Sequence, residues 1–200
     1  MNKQQTHTIF QSKITLPILS FLAKCILFLF RWKIVGELPK EKKYVIIVAP
    51  HTSNWDFFWG MCCVLSKKWE VKWVGKASLF SGKKGVIMRW LSGIAVDRAN
   101  ASNVVDSYIE LINNTDNINV VITPEGTRGY VTKWKSGFYR IADGADIPIS
   151  LAFLNFKTKE MGFGPMFKTT GEYDKDMAVI KAFYRDIDGK HPELYCVDFD

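Results

Sequence analysis

A histidine and an aspartate lie five positions apart where the sequence predicts that a strand is followed by a helix. They are His51 and Asp56 in the segment Pro-His-Thr-Ser-Asn-Trp-Asp, residues 50–56. A carboxylate one helical turn beyond an imidazole can bind one ring nitrogen, fix the tautomer and leave the other nitrogen free to accept a proton. The spacing therefore indicates a candidate general base, His51, with Asp56 as the group that orients it and stabilises its charge.

The same segment also has a purely structural interpretation. Ser53 and Asp56 form an S-x-x-D pattern, a variant of the capping box that satisfies free backbone N–H groups at the start of a helix. On these residues alone neither interpretation excludes the other. Both can hold, because a cap can also position the catalytic pair.

A second candidate loop reads Pro-Glu-Gly-Thr-Arg, residues 124–128, and follows the clearest predicted strand. Gly126 permits a tight turn, and Arg128 can bind a phosphate through two parallel hydrogen bonds with help from neighbouring backbone N–H groups. Taken alone, the loop is more simply a surface turn with an incidental ion pair. Two further features, Arg98 leaving a predicted strand and Pro148 entering one, likewise have ordinary structural explanations.

Alternating strands and helices are predicted to position these loops. Predicted strands cover 44–49, 71–74, 93–96, 118–123 and 147–154, and predicted helices cover 54–67, 86–91, 102–112, 135–142 and 175–185. This order is typical of an α/β domain with a mostly parallel central sheet flanked by helices. Functional groups in such sheets gather beyond the carboxyl ends of the strands, which is where both candidate loops fall.

An apolar helix is expected before this domain, over residues 14–30. A helix that spans a membrane needs ~20 apolar residues, and this run is shorter and interrupted by Lys24. Lysine, arginine and tryptophan at its ends (Lys13, Arg31, Trp32 and Lys33) suit a helix lying in one leaflet. We therefore expect a membrane-associated segment at 1–33 and one further domain at 34–200, although a helix packed on the domain explains the same pattern.

The charge is unevenly distributed along the chain. Residues 1–92 carry 15 lysines and arginines against 4 acidic residues, whereas residues 93–200 carry 12 against 16, within a net charge of +7. A basic front half indicates an anionic partner, such as lipid headgroups, an acidic carrier protein or nucleic acid. No nucleic-acid-binding motif is present.

Several classes of catalytic and metal site are excluded by the motifs that the sequence lacks. It has no G-x-S-x-G elbow, phosphate-binding glycine loop of the Walker type, dinucleotide-binding glycine fingerprint or H-E-x-x-H pattern. Four cysteines without C-x-x-C spacing and three histidines predict neither a zinc site nor a disulfide framework.

Four blocks occur in order: H-x-x-x-x-D at 51–56, G-x-x-x-x-R at 93–98, P-E-G-T-R at 124–128 and I-P-I at 147–149. Together they resemble the glycerolipid acyltransferase family, which includes glycerol-3-phosphate and 1-acylglycerol-3-phosphate acyltransferases. The similarity runs over residues 34–153 and includes a lysine-containing segment at 74–80 and the Lys-Ser-Gly step at 135–137.

The resemblance implies that His51 deprotonates an acceptor hydroxyl, with Asp56 as its partner. The hydroxyl oxygen then attacks the thioester of acyl-CoA or acyl carrier protein directly, without an acyl-enzyme. Positions implied to bind the acceptor or its phosphate are Lys76, Arg98, Glu125, Gly126, Thr127 and Arg128. No metal and no cofactor beyond the acyl donor is implied, and the expected partners are membrane lipids and the donor, not nucleic acid. The expected location is the cytoplasmic face of a membrane, with monotopic or peripheral attachment.

Three positions depart from the family pattern. Pro50 stands where asparagine is common, Thr123 where an aromatic residue is common, and Gly129 where serine is common. The acceptor therefore stays open, and a lysolipid other than lysophosphatidic acid is compatible with the sequence. A catalytically idle lipid-binding module of the same fold is the alternative, although the presence of both His51 and Asp56 argues against it.

Overall fold

A computed structural model of the chain describes residues 7–96 and 101–196. The described residues form a seven-stranded sheet in the order β1-β7-β6-β2-β5-β3-β4. The strands are β1 Lys33–Val35, β2 Lys43–Ala49, β3 Lys72–Lys76, β4 Gly93–Val96, β5 Ile118–Ile122, β6 Ile149–Asn155 and β7 Glu160–Phe167. The helices are α1 Thr15–Leu29, α2 Asn54–Ser66, α3 Gly82–Trp90, α4 Ala101–Asn113, α5 Gly137–Gly144 and α6 Tyr173–Tyr184.

The sheet is parallel except where β7 runs antiparallel to β6. Its central strand, β2, is apolar along most of its length because both faces of the sheet are covered. Val45 and Ile47 face the cluster that contains residues of α4, α5 and α6. Ile46 faces the opposite side, where Val64 of α2 packs against it. The predicted α/β fold with a mostly parallel sheet is confirmed.

Helix α1 forms a further layer, because Ala23 and Leu27 pack against Trp59 and Cys63 of α2. The opposite face of α1 is also apolar and is exposed, with Ile14, Ile18, Phe21, Leu22, Phe28 and Leu29. Within residues 7–96 and 101–196, none of the helices is both long and apolar enough to cross a bilayer. The predicted association of α1 with a membrane stays a prediction.

Two strands were not predicted from the sequence. β1 has only three residues, and β7 contains two glycines and a proline, Pro165, which are uncommon in strands. β1 pairs with β7 only at Glu160, Met161 and Gly162. Pro165 is exposed and lies beyond that pairing, opposite the register shift between Ser150 and Ala152 of β6, where a missing N–H group is tolerated.

Candidate active site

His51 and Asp56 meet at the junction between β2 and α2. The His51 Nδ1 and Asp56 Oδ2 atoms are 3.1 Å apart, and the two side chains are 16% and 2% exposed. A carboxylate at Nδ1 favours the tautomer with the proton on that nitrogen and leaves Nε2 as the proton acceptor. The arrangement is that of a base held and oriented by a buried carboxylate.

The capping box predicted for the same segment is also present. The Ser53 backbone N–H donates to Asp56 Oδ2 at 2.8 Å, and Ser53 Oγ accepts from the Trp55 backbone N–H at 3.2 Å. Asp56 Oδ2 therefore accepts the hydrogen bond that caps the helix and also contacts the imidazole of His51. Asp56 Oδ1 is buried and has no hydrogen-bond partner among the described residues. Because a buried carboxylate is costly without a compensating charge, Asp56 is well placed to compensate a positive charge on the imidazole during a reaction.

Glu125 lies beneath this junction and joins the two candidate loops. It is buried, and its Oε1 atom accepts a 2.9 Å hydrogen bond from the His51 backbone N–H. Burial raises the pKa of Glu125 to about 7, backbone N–H groups including that of His51 oppose the rise, and the charge of Asp56 adds to it. Glu125 is not among the residues that line the adjacent cavity. Its carboxyl group therefore contacts the loop that carries His51 and does not face the cavity.

The loop that contains Glu125 is closed by backbone hydrogen bonds and depends on a glycine. The Gly126 N–H donates to the Thr123 carbonyl at 3.1 Å, and the Lys135 N–H donates to the Pro124 carbonyl at 2.8 Å. Gly126 has φ +67°, and a Cβ atom there would lie 2.9 Å from the Lys135 side chain. Only glycine adopts this conformation without strain. The turn brings Thr127 and Arg128 to the cavity.

A cavity of about 550 Å³ opens at the His51–Asp56 pair (the dyad) and lies between α2 and the sheet. The end of the cavity at the carboxyl ends of β2, β3 and β5 is polar and contains His51, Lys76 and Arg128. Lys84 is a third cationic group in the lining. Lys84, from α3, was not predicted as a site residue. The only sequence signal for it is that residues 71–96 contain five lysines and arginines and no acidic residue.

The other end of the cavity is apolar. Its wall includes Phe57, Gly60, Met61 and Val64, which follow one face of α2. From Asn54 to Val64 the cavity follows this helix over ten residue steps, which corresponds to a length of about 15 Å at the α-helical rise. Trp69 and Phe163 also line the cavity, and their ring centroids are 5.0 Å apart.

The predicted site residues that line this cavity are His51, Asp56, Lys76, Gly126, Thr127 and Arg128. Glu125 lies under the dyad loop, where it binds the backbone of His51. Arg98, predicted to hold the acceptor phosphate, lies outside the described residues. The apolar lining was not predicted, because its members come from several strands and from both α2 and α3, and each resembles an ordinary core residue in sequence.

Comparisons with known proteins add a family and a fold. The sequence model of the family described as Acyltransferase matches residues 31–151, which include both candidate loops. A search of curated proteins finds no match. Among solved structures, the fold is similar to the crystal structure of the 1-acyl-sn-glycerophosphate (LPA) acyltransferase PlsC from Thermotoga maritima. The TM-score is 0.58 at 16% identity, over 86% of this chain and 77% of that one.

Proposed function

The chain belongs to the acyltransferase family, and we propose that it moves a fatty acyl group from a thioester donor to a hydroxyl of a lysophospholipid-type acceptor, such as 1-acylglycerol-3-phosphate. The observation that carries this proposal is the position of the His51–Asp56 pair. The pair lies where the cationic end of the cavity meets its long apolar part. An acyl transfer to a phosphorylated lipid needs a base between two such environments.

The proposed reaction begins when the acceptor hydroxyl donates its proton to His51 Nε2. Its oxygen attacks the thioester carbonyl carbon and forms a tetrahedral intermediate. When the intermediate collapses, the carbon–sulfur bond breaks and the thiolate takes the proton from the imidazolium, which gives an ester and a free thiol. Asp56, buried 3.1 Å from Nδ1, stabilises the positive charge of His51 between these steps.

The cationic end of the cavity is proposed to bind the phosphate of the acceptor. Lys76 and Arg128 were predicted from the sequence for this role, and Lys84 lines the same cavity. An arginine can bind two phosphate oxygens in parallel, and lysines add compact charges without fixed direction. The phosphate would hold the acceptor so that its hydroxyl reaches Nε2.

The apolar part of the cavity is proposed to hold the acyl chain of the donor. Counted from Asn54 beside His51, the cavity is about 15 Å long along α2, close to half of the ~30 Å hydrocarbon thickness of a bilayer, which is the space that one fatty acyl chain occupies in a membrane. With the chain under α2, the thioester carbon would lie at His51. Acyl-CoA and acyl carrier protein both present such a chain, and either is compatible with the site.

Membrane attachment is proposed through the exposed face of α1. One face of this helix packs on α2, and the other presents Ile18, Phe21 and Leu22. Residues 7–36 contain lysines and arginines and no acidic residue, as expected for a segment that lies on anionic lipid. We propose monotopic or peripheral attachment on the cytoplasmic face.

The test is an acceptor panel supplied with either donor. Purified protein, acyl-CoA or acyl carrier protein, and a set of lysolipids should yield acylated lipid by mass spectrometry and one free thiol per ester. His51→Ala should lower the rate by about 10³-fold or more without changing the circular dichroism spectrum.

Two results would contradict the proposal. Full activity of His51→Ala would refute the role of His51 as the general base. Binding of anionic liposomes by the wild type with no thiol release for any acceptor would identify the idle lipid-binding module.

A further inference from the structure

Two exposed aromatic side chains flank the dyad on α2. Trp55 is 53% exposed and Phe58 is 39% exposed, whereas Asp56, which lies between them in sequence, is buried. Neither Trp55 nor Phe58 lines the cavity. Large aromatic side chains that are left exposed together indicate a surface that binds something.

These rings continue into the end of α1. The ring centroids of Trp55 and Phe58 are 5.6 Å apart, those of Phe58 and the buried Trp59 are 5.0 Å apart, and those of Trp59 and Phe30 are 5.4 Å apart. Phe30, directly after α1, is 50% exposed. Trp59 therefore supports three exposed rings, Phe30, Trp55 and Phe58, which we call the aromatic patch.

The composition around the patch favours a lipid surface over a protein partner. Arg31 follows Phe30 directly, and the charged residues of 7–36 are all lysine or arginine, so the surroundings complement an anionic surface. Tryptophan and its aromatic neighbours are also the side chains that concentrate at the headgroup level of bilayers. Finally, the patch is continuous with the exposed apolar face of α1, which presents Phe21 and Phe28.

We propose that Phe30, Trp55 and Phe58 insert into the headgroup region of an anionic bilayer, so that the helix carrying Asp56 is itself part of the membrane-binding surface. Trp55 precedes Asp56 directly, so the dyad would lie within one helical turn, about 5 Å along the helix axis, of the inserted rings. An acceptor could then pass from the bilayer to His51 without crossing water. This inference rests on the proposed function and adds a membrane contact that α1 alone does not provide.

The first experiment compares two acceptors and two variants of the full chain. The double variant Trp55→Ala/Phe58→Ala removes both α2 rings, and Val179→Ala removes a side chain on α6 that is 58% exposed and serves as the control. Binding is measured on vesicles of phosphatidylglycerol and phosphatidylcholine. Rates are measured with a long-chain acceptor in those vesicles and with a short-chain acceptor dissolved as monomers.

The double variant should bind vesicles about 10- to 100-fold more weakly, because two apolar side chains lose their burial in lipid. Its rate should fall with the vesicle-borne acceptor and stay within about twofold of wild type with the monomeric acceptor, because neither ring lines the cavity. The control should match the wild type in all three measurements. Vesicle binding equal to the wild type, or equal losses with both acceptors, would overturn the inference.

A second measurement needs no turnover. Trp55→Phe keeps an aromatic ring and removes one fluorophore, so the fluorescence difference from the wild type reports on Trp55. Lipids brominated near the headgroup should quench this difference signal, and lack of quenching would overturn the inference. If quenching is found but no acceptor is acylated, the membrane contact holds and the proposed function fails.

Discussion

Glu125 offers a sharp test of how the site is built, because two different roles can be proposed for it. The resemblance implies contact with the acceptor, whereas its Oε1 atom binds the His51 backbone N–H at 2.9 Å and its side chain is buried outside the cavity lining. Two substitutions separate these roles. Glu125→Ala removes the hydrogen-bond acceptor, and Glu125→Gln keeps an oxygen that can take the same hydrogen bond.

The magnitude follows from the burial of this contact. Leaving the N–H group of His51 without its partner costs about 1–3 kcal/mol, and a small displacement of the dyad can lower the rate by about 100-fold. We expect Glu125→Ala to lower kcat by about 10- to 100-fold with little change in KM for the acceptor. Glu125→Gln should retain kcat to within about tenfold, because the hydrogen bond persists.

The raised pKa of Glu125 gives a second, independent signal. Burial raises the pKa from 4.5 to about 7, so the folded protein binds this proton more tightly than the unfolded chain does. The resulting stability is fully present below about pH 4.5 and is lost as the pH rises through about 7, by about 3 kcal/mol. Glutamine cannot ionise. The free energy of unfolding of Glu125→Gln, relative to the wild type, should therefore rise by about this amount between pH 4.5 and pH 8.

The assays are steady-state kinetics with the acceptor varied and urea denaturation at both pH values. A rise in KM at unchanged kcat for Glu125→Ala would refute the positioning role and would support direct contact between Glu125 and the acceptor. Identical pH dependence of unfolding in the wild type and Glu125→Gln would refute the effect of burial on the carboxyl group.

Three further predictions concern the dyad, the apolar cavity and the cationic end. Asp56→Asn should lower kcat by about 10³- to 10⁴-fold, because an amide cannot compensate the charge of the imidazolium. Ser53→Ala is the control, since it removes only a capping hydrogen bond. An equal loss of kcat in this control would contradict the proposed role of Asp56 as the partner of His51. Gly60→Leu should shift donor preference toward shorter acyl chains in a competition assay. The variant should not lose stability, because a Cβ atom there meets no other atom within 4 Å and glycine is a poor helix former. The same shift in Gly60→Ala would argue against filling of the cavity as its cause. Arg128→Ala should raise KM about tenfold or more for a phosphorylated acceptor and leave KM unchanged for the matching monoacylglycerol, and equal changes for both would exclude phosphate binding.

Local features of the site were predictable because the residues that form them are close in sequence. His51 and Asp56 are five positions apart across the start of α2, so their contact and the capping box with Ser53 follow once the strand-to-helix junction is recognised. The continuous apolar run of β2 likewise predicts a strand buried on both faces. The α/β order and the main helices and strands followed from the same kind of pattern.

Contacts between distant residues required the tertiary structure. Glu125 reaches His51 across 74 positions, because parallel pairing of β2 with β5 brings the ends of the two strands together. The short strand β1 and the glycine-containing strand β7 depend on pairing at one edge of the sheet, which their own sequences do not indicate.

The dyad illustrates which features the sequence determined and which only the tertiary structure determined. By itself the sequence determined which residues could act as base and partner, since that chemistry depends on residue type and local spacing. It could not determine that His51 stands between a cationic pocket and an apolar cavity, or that α1 packs one apolar face on α2 and leaves the other exposed. Hydrophobic side chains in a core, a cavity wall and an exposed face look alike in sequence, and only packing distinguishes them.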